Sequence, residues 1–189
     1  TSTTSIESLR ETLYAGMAGN GITGQLADEI YGRMTYGGRE HVSLLGYESI
    51  RDRLILLDGW SKTYAMTGWR LGWMAGPLDA MKAAGNLQSH LSSNVSNISQ
   101  KAALAALTGP QDEVLAMREA FDRRRKLAVA ELNKISGWHA PMPEGAFYVY
   151  SDVTGLLGRE WGGKQINTSL ELCDYILDAA EVALVPGEA

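Results

Sequence analysis

Disulfides, metal sites and a nucleic-acid footprint are all missing from this 189-residue chain. A single cysteine, Cys173, excludes an internal disulfide and fits a reducing compartment, so the sequence predicts a cytoplasmic protein. Cys173 lies between Leu172 and Tyr175 in an apolar helical pattern, which predicts a small core residue. A basic excess is lacking too: 17 Lys and Arg against 22 Asp and Glu give a net charge of −5, and the basic residues are interleaved with acidic ones. That distribution argues against nucleic-acid binding. The densest basic run, Arg123 to Lys126, sits beside Glu119 and Asp122 and reads as a solvated helix face. His41, His90 and His139 lie far apart, with no carboxylate or thiol at ligand spacing, so no metal site is expected. No apolar stretch approaches the roughly 18 residues of a membrane span. The opening, Thr-Ser-Thr-Thr-Ser, has neither an initiator Met nor a secretory pattern and reads as a processed or cut end.

What the chain does have is alternation. Residues 6–17 place Ile6, Leu9, Leu13 and Met17 at helical spacing behind Ser5. The stretch from Ile22 to Ala27 is strand-like but rather polar. Arg53 to Leu57 is a short apolar run bounded by Asp58 and Gly59, as in a strand buried on both faces. Such alternation predicts a βα-layered, largely parallel sheet. The thirty or so residues from Leu78 to Leu107 predict one long helix or two abutting ones, closed by Gly109-Pro110. Residues 112–135 carry a further apolar stripe at helical spacing. Gly145 to Tyr150 is the best β-like run beyond them, Ser169 to Ala180 predicts a capped helix, and Val182 to Val185 reads as a last strand before Pro186-Gly187.

The most informative segment follows the buried strand: Ser61-Lys62-Thr63-Tyr64-Ala65-Met66-Thr67-Gly68-Trp69-Arg70-Leu71-Gly72. It has Ser-Lys, an aromatic two residues on, then Met, Gly, Arg and Gly, far more constraint than a lone glycine loop offers. Asp28-Glu29-Ile30-Tyr31 lies upstream; Pro143-Glu144-Gly145-Ala146-Phe147-Tyr148 and Val185-Pro186-Gly187-Glu188-Ala189 lie downstream. In these motifs, their order and their spacing, the chain resembles the pyridoxal-phosphate-dependent aminotransferases of class I/II, nearest the aspartate or broad-specificity members. The resemblance is weakest before residue 27.

The resemblance implies an α/β fold: the C-terminal half of a three-layer α/β/α large domain over residues 1–110, followed by part of a small α/β domain over 111–189. It implies pyridoxal 5'-phosphate as cofactor, amino-acid and 2-oxo-acid substrates, a homodimer, and neither nucleic acid nor membrane as partner. Lys62 becomes the Schiff-base and proton-transfer residue, an amine that desolvation and nearby cations can tune to react at neutral pH. Taken alone, a Lys after a strand is more often a snorkelling surface residue. Asp28 faces the pyridine nitrogen and keeps it protonated; without the resemblance it is a turn or cap residue. Tyr31 donates its hydroxyl to the cofactor's phenolic oxygen, and Arg70 grips the phosphate with a planar fork that Lys cannot reproduce. The bland alternatives are a half-buried aromatic for Tyr31 and a surface ion pair for Arg70. Ser61 adds a hydroxyl, whereas the family often carries Ser or Thr three residues before the Lys, where this chain has Gly59. Trp69 and Tyr64 read as packing residues.

Several of the family's working parts fall outside the sequence: the glycine-containing phosphate loop, the aromatic that stacks on the ring, the Asn partner of the cofactor and the Arg for the substrate carboxylate. The chain therefore reads as a piece of an enzyme about twice as long, or as a short protein in which catalysis is doubtful. Beside transamination, two readings stay open: a lyase or synthase of the same superfamily using the same cofactor, and a non-catalytic fragment.

Overall fold

The computed structural model describes residues 24–188, so the helix expected over 6–17 lies outside the described residues. The chain forms two compact units, one ending at Val114 and the other starting at Leu115.

In the first unit the apolar run becomes β2 (Leu54–Gly59), flanked by β1 (Gln25–Asp28) and β3 (Gly72–Ala75). Leu54 and Leu56 are each 1% exposed, as the near-continuous hydrophobic run requires of a central strand. β1 pairs with it in parallel, Gln25 opposite Leu54 and Asp28 opposite Leu57. Only Ala27 of β1 reaches the core, packing with Ile50 and Leu54, while Leu26 points outward. That accounts for the polar character of this strand.

β3 runs antiparallel to β2, with Gly59 opposite Gly72. The expectation of a largely parallel sheet is corrected here: the three strands form one parallel and one antiparallel pair. A parallel return needs a crossover, usually a helix. Residues 60–71 form only turns and one short 3-10 helix over Thr67–Trp69, so the chain doubles back.

Beyond β3 the apolar stretch resolves into two helices, α1 (Leu78–Leu91) and α2 (Asn97–Thr108), broken at residues 92–96. α2 stops at Gly109, where a Cβ would lie 2.7 Å from the Ala105 carbonyl oxygen. Met66, Leu71 and Ala103 form a second small core, edged by Trp60, Tyr64 and Val95.

α3 (Asp112–Leu132) occupies the predicted helical span of 112–135 but stops three residues short of its end. Its basic run is not simply a solvated face. The Arg125 side chain is 10% exposed, donates to the Pro143 carbonyl and pairs with Asp122 at 2.5 Å. Lys126 reaches the other oxygen of Asp122 at 2.6 Å. Hydrogen bonding from Lys126 and then Arg125 holds that carboxyl below its ordinary range despite the opposing pull of desolvation.

The second unit also contains a hairpin, β4 (Arg159–Trp161) and β5 (Lys164–Ile166), and the helix α4 (Ser169–Ala180). Leu156, Ile166 and Leu172 form its core, with Trp138, Trp161 and Tyr175 around them. Cys173, next to this core, is half-buried, and burial pushes its thiol up. α4 matches its predicted span and begins with a capping box: the Thr168 hydroxyl accepts from Glu171 N, and Glu171 accepts from Thr168 N. Glu188 adds a second acceptor for the backbone N–H groups of Ser169 and Leu170.

Two predicted strands do not form. Residues 145–150 form no strand, only an isolated bridge position at Gly145, and the adjoining Asp152 bridges His139. Val182 to Val185 has no strand partner among the described residues, and Val185 is 83% exposed. β propensity alone does not make a strand, which also needs a neighbouring strand in register along its length.

Candidate functional site

The parallel pairing of β1 and β2 brings the two informative motifs to one edge of the sheet. Asp28 is the last residue of β1 and Gly59 the last of β2. Because the strands run the same way, the turns carrying Asp28 to Tyr31 and Ser61 to Tyr64 leave from neighbouring carboxyl ends. In open α/β sheets this is where ligands bind.

Lys62 lies in the turn directly after β2. Trp60 O accepts from Tyr64 N at 3.2 Å and Met66 N at 3.3 Å, and Lys62 O accepts from Ala65 N at 3.2 Å. Thr63 and Met66 are buried beneath it, which fixes the turn from below. Ala65 and Arg70 adopt left-handed φ values of 52° and 51°. Non-glycine residues rarely do so, and strained positions of this kind gather at functional sites.

Lys62 and Tyr31 are brought together. The half-buried Lys62 Nζ stands 5.9 Å from the centroid of the Tyr31 ring. That is a cation–π distance. The Tyr31 turn is closed by Met34 N donating to Tyr31 O at 2.8 Å. Asp28 is exposed, and its Oδ1 accepts from Ile30 N at 3.1 Å, which orients the start of the same turn.

Ser61 is half-buried beside Lys62. Gly59 explains why no hydroxyl residue stands three before the Lys: a Cβ there would meet Gly72 Cα at 3.0 Å and Leu71 O at 3.1 Å. A side chain at that position would need β3 to give by a few tenths of an ångström. Arg70, in the loop before β3, is exposed, and its Nη1 donates to Thr67 O at 3.1 Å within its own loop. Trp69 is exposed rather than packed, whereas Tyr64 borders the Met66 core.

Two interactions here have no counterpart among the sequence expectations. His41 Nε2 lies 2.9 Å from Glu29 Oε2, and Leu44 N donates to Glu29 Oε1 at 2.8 Å. Burial pushes the Glu29 carboxyl up, but the bonds from His41, Leu44 and Ser43 outweigh it and hold the group below its ordinary range. Asp58 behaves in the opposite way. Burial raises it, the Gly59 N–H at 2.6 Å partly offsets that, and the negative charges of Glu29 and Asp28 push it further up. The second unexpected group is Gln111, which joins Arg33 to Tyr64. Only the Gly109-Pro110 punctuation just before it marks that region in sequence.

Together these elements supply an amine, a phenol and a carboxylate on one sheet edge, with a guanidinium in the adjoining loop. That donor set fits an aldehyde-bearing, phosphorylated pyridine: amine for the aldehyde, phenol for the ring oxygen, carboxylate for the ring nitrogen, planar fork for the phosphate.

Comparison with known proteins gives the following. The model of the family described as aminotransferase class I and II matches residues 24–189. An aspartate aminotransferase of Streptomyces avermitilis is 55% identical over 165 residues, which are 87% of this chain and 40% of that protein. One from Rhizobium meliloti is 44% identical over 166 residues, again 87% of this chain and 40% of the relative. The crystal structure of the aspartate aminotransferase from Rhizobium meliloti superposes with a TM-score of 0.88 at 39% identity, covering 97% of this chain and 46% of that one. An aromatic aminotransferase structure from Pyrococcus horikoshii gives 0.83 at 31% identity, over 96% of this chain and 46% of that one. The chain thus spans less than half the length of each of these relatives.

Proposed function

Since the chain belongs to the class I and II aminotransferase family, whose model matches residues 24–189, we propose that it is the lysine-bearing part of an enzyme that moves an amino group from an α-amino acid to a 2-oxo acid. Its mixed α/β architecture is that of the aminotransferase structures it superposes on. In this reading the first unit belongs to the large, cofactor-binding domain and the segment from residue 111 to part of a small domain. The aspartate aminotransferases among its relatives support aspartate as one amino donor.

Pyridoxal 5'-phosphate, when bound, supplies the aldehyde and the electron-accepting ring on which such chemistry depends. Lys62, Asp28, Tyr31, Ser61 and Arg70 are the residues that would hold it. The Lys62 amine would hold the aldehyde and, from its half-buried turn, would carry the proton at the substrate's Cα. The Asp28 carboxylate would keep a proton on the ring nitrogen, and the Tyr31 hydroxyl would donate to the ring oxygen. Arg70 and Ser61 would bind the phosphate. A homodimer and a cytoplasmic setting belong to the same reading; among the described residues no helix is long and apolar enough to cross a membrane.

The single observation carrying this reading is the approach of Lys62 Nζ to the Tyr31 ring, at 5.9 Å, on one edge of a parallel strand pair. Reduction of the loaded full natural chain with borohydride, followed by peptide mapping, tests it. The label is expected on Lys62; a label on another side chain, or none, overturns the assignment. Lys62→Ala is expected to lower amino transfer by about 10²–10⁴-fold or more. Measuring 2-oxo-acid-dependent transfer against release of ammonia separates transamination from a lyase reaction with the same cofactor.

A further inference from the structure

Gln111 stands in the first unit, between α2 and α3, outside every motif named above. Its Oε1 accepts from Arg33 Nη1 at 3.0 Å and from Tyr64 Oη at 3.2 Å. Its Nε2 donates to Ala106 O and to Gly109 O, each at 2.9 Å. An amide offers two acceptor sites and two donors, so this side chain is fully engaged. Its orientation is determined as well, because a flipped amide would turn its NH2 toward the Arg33 guanidinium and its oxygen toward two carbonyls.

The two residues it receives from are placed alike. Arg33 lies two residues after Tyr31, and Tyr64 two residues after Lys62. The Arg33 guanidinium also stacks over the Tyr64 ring, 5.9 Å from its centroid. One oxygen therefore ties together the two turns that carry Tyr31 and Lys62. The donor side of the same amide is anchored on the end of α2, whose last carbonyls have no partner within the helix. Helix α2 in turn packs through Ala103 on Met66 and Leu71, the floor of the Lys62 turn.

We propose that Gln111 is a positioning residue: through the Arg33 and Tyr64 bonds to one amide oxygen it sets the spacing of Tyr31 and Lys62. This rests on the site reading given above. Misplacing a reacting group by about 1 Å costs up to about 10²-fold in rate.

The test uses Gln111→Met and Tyr64→Phe in the full natural chain. In the loaded enzyme each is expected to lower kcat about 10-fold with KM within about twofold of the parent. In the same chain freed of cofactor, reductive methylation of Lys62, followed by mass spectrometry, is expected to quicken at least about threefold as the turn loosens. The double variant should be no worse than either single one, since both remove the same link. Parent-like kcat and Lys62 labelling in Gln111→Met, or losses that multiply in the double variant, overturn the inference. Should Gln111→Met not fold, Tyr64→Phe decides alone, and parent-like labelling there overturns it. Full activity in Lys62→Ala would instead overturn the site reading itself.

Discussion

Gly59 and Gly72 are register partners across β2 and β3 and stand so close that a side chain on either would force its neighbours to shift. A Cβ on Gly59 would lie 3.0 Å from Gly72 Cα, and one on Gly72 would lie 2.9 Å from the Asp58 carbonyl oxygen. Backbone contacts cannot swing aside as a side-chain tip can, so the loop that carries Lys62 is pinned at both ends by glycine.

Gly72→Ala is accordingly expected to destabilise the fold by about 1–3 kcal/mol, the usual cost of overpacking. Gly68→Ala, in the same loop but facing open space, should stay within about 0.5 kcal/mol of the parent. Urea denaturation of the two variants measures the difference, and equal midpoints would remove the steric argument.

Asp58 and Glu29 should respond to pH with opposite signs. Asp58 is raised in the folded state, first by burial, so its ionised form costs stability at neutral pH, and that cost fades as pH falls and the group is protonated folded and unfolded alike. Asp58→Asn keeps an oxygen for Gly59 N–H and is expected to raise the denaturation midpoint near about pH 7, with little gain near about pH 3. Glu29 is held below its ordinary range, the bonds from His41 and Leu44 outweighing burial, so its contribution is present above the unfolded value and lost as pH falls through the folded one. Glu29→Gln should therefore lower the midpoint at neutral pH and converge with the parent in acid. Midpoint curves of the same sign for both variants would contradict this.

Arg70→Lys keeps the charge and loses the fork. Loss of a bidentate, charge-assisted contact to phosphate is expected to weaken pyridoxal 5'-phosphate binding about 10–100-fold. Equilibrium dialysis against the full natural chain reads the change, and an unaltered affinity would take Arg70 off the phosphate.

Much of the local structure is legible in the residues. Leu54 to Leu57 announce a central strand by an unbroken apolar run, and α4 announces itself by Thr168 and Glu171 at capping-box spacing. The hairpin at 159–166 is legible as well, through Gly162-Gly163, whose φ values of 56° and 81° suit a two-residue turn. The strands expected over 145–150 and 182–185 failed for the opposite reason, since propensity states what a segment can do and pairing depends on neighbours elsewhere in the chain.

The sequence by itself determined which groups could act: Lys62, Tyr31, Asp28, Ser61 and Arg70 are chemical types at spacings that resemble one family, and α2 ends where Gly109-Pro110 forbids another turn. Only the tertiary structure decided that Lys62 faces Tyr31, that Gly59 is crowded by β3, and that Gln111 links Arg33 to Tyr64. The reason is separation along the chain. Capping, turns and periodicity act over a few residues and leave their mark in the local pattern, whereas Tyr64 and Gln111 are 47 residues apart and meet because strand register and helix packing carry them together.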